Sequence, residues 1–213
     1  MPSLSFECSG VTPDRYAASP TLLFGLKVGE DSGARIHTGV LRCQIRIEPQ
    51  RRRYDDDEAA RLLDLFGDRT RWGDTLKPLQ FATVPFVLPA FTGSTEVDVA
   101  VPCTYDFEVA AAKYFHALRG GEIPLLLLFS GTVFYRGGDG MLVDQIPWDR
   151  EINVRVPVAT WRTLMDLSFP GSAWLRMRVE TVDALQDFKS RHGLTTWDET
   201  VESLLRRTEE AAR

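Results

Sequence analysis

The first two-thirds of the chain alternate apolar and polar residues with a period of two, the pattern of strands that bury one face. In VLRCQIRIE (40–48), Leu41, Cys43, Ile45 and Ile47 share one side, while Arg42, Gln44, Arg46 and Glu48 share the other. The same reading predicts strands at 4–8, 21–28, 80–88 and 96–109, the last with a bend or bulge at Pro102 because proline cannot serve a central ladder. LLLLFSGTVFY (125–135) is a further long strand. It is expected to pair antiparallel with 105–118, unless AAAKYFHAL (110–118) winds into one or two helical turns. YRGGDG (135–140) has the composition of a hairpin loop leading into strands at 141–146 and 152–157.

A different period interrupts this pattern in two places. In YDDDEAARLLDLFG (54–67), Ala59, Leu62, Leu63 and Phe66 form one helical stripe, and the acids 55–58 suit the positive end of the helix as a solvated N-terminus. From 158 onward, VATWRTLMDL (158–167) reads as a short helix and AWLRMRVE (173–180) as a strand. Thr181 caps a helix over 182–192 that stops at Gly193, and Thr196 with Glu199 forms a capping box for a last helix. Between the first two of these lies FPGSAW (169–174), in which Phe169, Pro170, Gly171, Ser172 and Trp174 read as a structural corner. The fold expected is α+β: an antiparallel β-sandwich or curled sheet body over 1–157 with one inserted helix at about 55–66. A helix-strand-helix-helix C-terminal extension, 158–213, is expected to pack on it.

Composition narrows the function. With 213 residues, 44% hydrophobic and 26% charged, the chain has the make-up of a globular protein. Its net charge of −5 argues against chain-wide attraction to nucleic acid or anionic lipid. Only four basic residues are lysines, an arginine bias that fits a GC-rich coding genome. Cys8, Cys43 and Cys103 are far apart and odd in number, which points to free buried thiols in a reducing cytoplasm, and the N-terminus shows no signal-peptide pattern.

No motif supplies chemistry. A nucleophile elbow needs G-x-S-x-G at a strand-to-helix turn, but Ser172 has Pro170 and Trp174 where glycines belong, and Ser130 lies within a strand. No P-loop or dinucleotide fingerprint occurs. The cysteines and His37, His116 and His192 show no metal-ligand spacing. Glu96 and Asp98 fall on the polar face of their strand. The sequence thus leans away from an enzyme and implies no cofactor. One local basic patch stands out: Arg51, Arg52 and Arg53 with Arg42 and Arg46, extended by Arg176 and Arg178 if their strand joins the same sheet. It is the candidate site for a protein partner, although the acids at 55–58 can neutralise it internally. The tryptophans are expected to be core or corner anchors for the most part.

LLLLFSGTVFY, QIPWD (145–149), PVATWRTLMDLSFPGSAWLRM (157–177) and TTWD (195–198) together resemble a family of uncharacterised actinobacterial proteins often encoded near nickel–iron hydrogenase genes. That resemblance implies an accessory role in hydrogenase assembly, and not a hydrogenase, since the paired C-x-x-C motifs of a nickel–iron centre are missing from the sequence. A looser, fold-level similarity is to SecB-like export chaperones. The sequence therefore favours a cytoplasmic, non-enzymatic accessory or scaffolding protein that binds another protein. The alternatives are an enzyme or small-ligand carrier with a pocket inside the β body, and a SecB-like holdase.

Overall fold

The computed structural model describes residues 2–104, 109–137, 140–172 and 175–211. Among them are eight strands: β1 (Leu4–Pro13), β2 (Thr21–Glu30), β3 (Ile36–Ile47), β4 (Leu79–Leu88), β5 (Ser94–Pro102), β6 (Glu122–Gly137), β7 (Gly140–Gln145) and β8 (Glu151–Pro157). Short helices α1 (Asp56–Arg61), α2 (Leu63–Phe66) and α3 (Trp72–Thr75) join β3 to β4, and α4 (Ala110–Ala117) precedes β6. The helices α5 (Val158–Ser168), α6 (Val179–Arg191) and α7 (Trp197–Ala211) follow the last strand. The α+β class expected from the periodicity is the one observed: two antiparallel sheets with helices gathered at the C-terminal end.

One sheet has the order β1-β2-β5, the other β4-β3-β6 with both β7 and β8 on the far edge of β6. The sixteen residues of β6 make this possible, because β8 pairs with 122–128 and β7 with 132–137, end to end along a single edge. The sheets bury their apolar faces against each other. Leu22, Phe24, Leu26, Val99 and Val101 from one share a core with Cys43, Ile45, Ile47, Leu127 and Phe129 from the other. Phe6 of β1 stacks on Phe129 of β6 with ring centroids 4.0 Å apart, a direct contact between the two layers. Helices close the sides, with Tyr114 and Phe115 of α4 and Trp161 and Leu164 of α5 all buried in the same core.

Differences from the periodic reading have local causes. Strand β1 runs past residue 8 because a bulge between Cys8 and Gly10 shifts the period by one. Val11, rather than Gly10, then stands opposite Phe24 on the inner face. The helix over 54–67 is broken at Leu62 into α1 and α2, and it ends at Gly67 with φ of 70°. Segment 110–117 is helical, so the pairing expected between 125–135 and 105–118 does not form there. Strand β6 pairs instead with β3, β7 and β8. Three consecutive alanines favour the helix over the strand. The described part of the predicted strand at 173–180 is not a strand either. Residues 175–178 carry no regular structure and α6 begins at Val179, two residues ahead of Thr181, with Arg178 as its N-cap.

The chain divides into two compact units, Met1–Trp174 and Leu175–Arg213, and the boundary expected at 157 falls inside the first. In the second unit α6 and α7 form a helical hairpin. The Arg207 guanidinium lies over the Phe188 ring at 5.0 Å and Lys189 over Trp197 at 5.8 Å, while Thr200 is buried. The capping box is present: Glu199 N–H donates to Thr196 Oγ1 at 3.1 Å, and Thr196 N–H donates back to Glu199 Oε2 at 3.1 Å. No helix among the described residues is long and apolar enough to cross a membrane.

At 169–172 the corner is a tight turn. Ser172 N–H donates to the Phe169 carbonyl at 3.2 Å, with Pro170 and then Gly171, at φ of 60°, between them. That is the residue order of a type II turn, whose third position requires positive φ. Trp174 and Ala173 lie outside the described residues. Gly171→Val is therefore expected to lower the midpoint of thermal unfolding, whereas Ser172→Ala, which keeps the backbone donor, leaves it unchanged. Gly131 has a stricter role inside β6: its φ is 139°, and a Cβ there would sit 2.3 Å from the Val40 carbonyl oxygen and 2.8 Å from Leu41 Cα. Urea unfolding of Gly131→Ala should show a loss of about 1–3 kcal/mol, and an unchanged midpoint would refute this account of the FSG string.

Candidate functional site

The basic patch does not assemble as a free cationic surface. Arg42 is exposed on the outer face of its sheet, between Pro85 and Ser130 in register. Arg46 pairs with the buried carboxylate of Glu48 at 3.2 Å. Arg51 donates to the Asn153 side chain of β8. Arg53 is exposed. Arg176 and Arg178 belong to the second unit and to no strand, so the sheet that was to unite them with Arg42 and Arg46 does not exist.

Arg52 is the exception that organises its surroundings. It meets Glu58 Oε1 at 2.8 Å and the Gly120 carbonyl at 2.5 Å, and its guanidinium lies 5.2 Å from the Tyr54 ring centroid. Glu58, expected in water at a helix N-terminus, is only 3% exposed, and it also accepts from the Arg119 backbone N–H at 2.7 Å. Asp55 performs the capping expected of the acidic run by accepting from Glu58 N–H at 2.7 Å. Beside the pair, Tyr54 donates to the Pro49 carbonyl at 2.8 Å and lies 2.7 Å from the Tyr114 hydroxyl. Burial pushes both phenols up, Tyr114 to about 12, so neither ionises at neutral pH. This network ties the β3–α1 connection to α4 and to the turn before β6, and its carboxylate and phenols are engaged within the chain.

Sheet edges tell a different story. An edge strand offers unpaired backbone donors and acceptors, and proteins blunt such edges with prolines, charges, bulges or covering elements. Strand β4 carries Pro85, β5 carries Glu96, Asp98 and Pro102, β1 has its bulge and Pro13, and β8 has Glu151 and Arg155. Strand β7 carries none of these along its apolar stretch. Met141, Leu142 and Val143 are 62%, 48% and 59% exposed, and its single charge, Asp144, is half-buried near its end. Val143 stands opposite Phe134 and Leu142 opposite Tyr135, so both faces of the edge are apolar and backed by aromatic rings. On the outer face the surface continues to exposed Val40 and Val87, which are paired in register. Among the described residues no strand pairs with the outer edge of β7.

A second feature lies on the side of the sandwich closed by α4. Phe81 and Val84 of β4, Cys103, Ala111, Ala112 and Phe115 of the α4 region, and Trp161 of α5 line a recess of about 510 Å³. Cys103 Sγ donates to the Val101 carbonyl at 3.5 Å, and burial pushes its thiol up to about 12, which keeps it protonated and unreactive. The His116 ring meets Trp161 edge-on at 4.5 Å between centroids, and burial takes its pKa down to about 4, so the ring is neutral at neutral pH. No group of three metal-ligating side chains occurs among the described residues. Trp161 is buried in the core and Trp72 packs against it as expected, whereas Trp148 and Trp197 are exposed.

Sequence reasoning missed both features. MLV was legible as part of a strand, and three consecutive apolar residues in a strand necessarily put apolar groups on both faces. What it could not supply was the strand's place at an open edge.

Two facing antiparallel sheets followed by a helical hairpin, with an exposed apolar stretch on the β7 edge, define an α+β protein. The chain belongs to a family of unknown function (DUF6084), whose model matches residues 1–213. No curated protein matches the sequence closely enough to count as a relative.

The buried pair makes a sharp structural prediction. Glu58→Ala strands the Arg52 guanidinium and the Arg119 N–H, and should cost about 3–5 kcal/mol, whereas the exposed Arg53→Ala should stay within about 0.5 kcal/mol. Chemical denaturation of the two variants side by side checks this, and equal stability would show that the pair is not a structural anchor.

Proposed function

We propose that the protein is a non-enzymatic accessory or scaffolding protein that captures an extended apolar segment of another protein as an added strand along β7. One observation carries this reading: among the described sheet edges, β7 alone has three consecutive exposed large apolar residues, Met141, Leu142 and Val143, and no charge, proline or bulge interrupts that stretch. Strand addition takes its affinity from backbone hydrogen bonds and its selectivity from alternate side chains. Here Met141 and Val143 would meet the partner on one face and Leu142 on the other. The arginine patch has no part in this reading, since Arg46 and Arg52 are engaged by carboxylates of the same chain.

The resemblance to proteins encoded near nickel–iron hydrogenases makes a hydrogenase assembly component the first partner to test. The same edge would serve a SecB-like holdase, which differs in accepting unrelated unfolded clients. Titration calorimetry of the full chain with the assembly component should give saturable binding. Val143→Lys should weaken it by at least about ten-fold without altering circular dichroism, and complex formation should slow amide exchange at 141–145. Binding indifferent to Val143→Lys, or exchange unchanged in β7, would remove the strand-addition reading. Equal binding of an unrelated unfolded client would favour the holdase.

A further inference from the structure

The recess beside α4 has features that packing alone does not account for. The recess is open to solvent on one side and holds about 510 Å³, within the usual range for small-molecule sites. Ala82, Ala111 and Ala112 supply the space by having almost no side chain, while Phe81, Phe115 and Trp161 supply aromatic walls. Those rings are held by one another: Phe81 meets Phe115 edge-on at 5.1 Å, and Phe115 lies 5.7 Å from Trp161. The site is therefore pre-formed rather than collapsible.

Its polarity is equally specific. The described lining is apolar apart from Thr83 and Thr104, so affinity there comes chiefly from apolar contact. One strong donor is left over. Trp161 is 3% exposed, and its indole N–H, buried, has no hydrogen-bond partner among the described residues. Buried donors are nearly always paired, and an orphan at the wall of a recess calls for an acceptor. The Cys103 thiol does not compete for that role, since it is directed to the Val101 carbonyl.

We infer that this recess binds an uncharged, mainly apolar small molecule carrying one hydrogen-bond acceptor, which takes the indole N–H of Trp161. The inference goes beyond the strand-addition reading and stands on different residues. It makes the protein a carrier or sensor of such a molecule, with α4 and β4 as the walls of the site.

Two neutral dyes separate the parts of this claim: Prodan, whose ketone is an acceptor, and N-phenylnaphthylamine, which has no carbonyl. With the full-length protein, Prodan should bind saturably at one per chain with blue-shifted emission. Ala82→Trp and Ala112→Trp each fill the recess and should abolish binding, and whichever of the two keeps the wild-type circular dichroism decides the point. Trp161→Phe should weaken Prodan about five-fold, the net worth of one hydrogen bond, while leaving N-phenylnaphthylamine unchanged. Leu142→Lys should affect neither dye. The site is overturned by an absence of saturable binding, by binding that survives both filling variants, or by its loss in Leu142→Lys, which would place the dye on the β7 surface. Equal weakening of both dyes in Trp161→Phe overturns the role of the indole N–H.

Discussion

The pairing of β3 with β6 is the constraint on which the rest depends. Residues 36–47 lie against 125–135 in antiparallel register, and the strands are separated in sequence by the helical insertion, two further strands and α4. Once this ladder forms, β4 has its place on one side and β7 and β8 on the other, and the inner faces present a continuous apolar wall. Sheet β1-β2-β5 then has a surface to cover, with Phe6 set on Phe129 as the contact between layers. Loop closure of this length is entropically costly before any contact rewards it, so the topology implies slow folding compared with a helical protein of similar size.

The buried Arg52–Glu58 pair shows how the insertion is kept in place. Two charges withdrawn from water gain little against a hydrophobic alternative, but losing one leaves the other stranded. Their partners come from two separated stretches, 52–58 and 119–120, so the pair fixes where the helical insertion and the start of β6 meet rather than simply adding stability. The neutral Tyr54–Tyr114 contact extends the same fastening to α4.

Much of the fold was legible in the sequence because burial on one face writes a period of two into a strand. Leu41, Cys43, Ile45 and Ile47 are buried as their alternation requires, and Arg42 and Gln44 are exposed. The illegible parts are those in which tertiary context overrides a local pattern. Alternation at 175–179 resembles a strand, yet no neighbouring edge receives it and the chain passes into α6 instead. Glu58 looks like a solvated helix acid until Arg52 and the Arg119 backbone are brought to it from elsewhere. The candidate sites were the least legible of all. Whether Met141, Leu142 and Val143 are core or surface depends on which strand lies beside them, and the recess is assembled from β4, α4 and α5, which alternation cannot bring together.

The open edge of β7 has a consequence for the life of the protein outside any complex. Three consecutive apolar residues, with side chains on both faces of a strand that has a free ladder, are as good a template for a second copy, or for a misfolded chain, as for a partner. Partner binding and self-association therefore compete for the same backbone groups. On the strand-addition reading the protein's solubility becomes a property of its stoichiometry: produced in excess of its partner, the chain is a nucleus for its own aggregation.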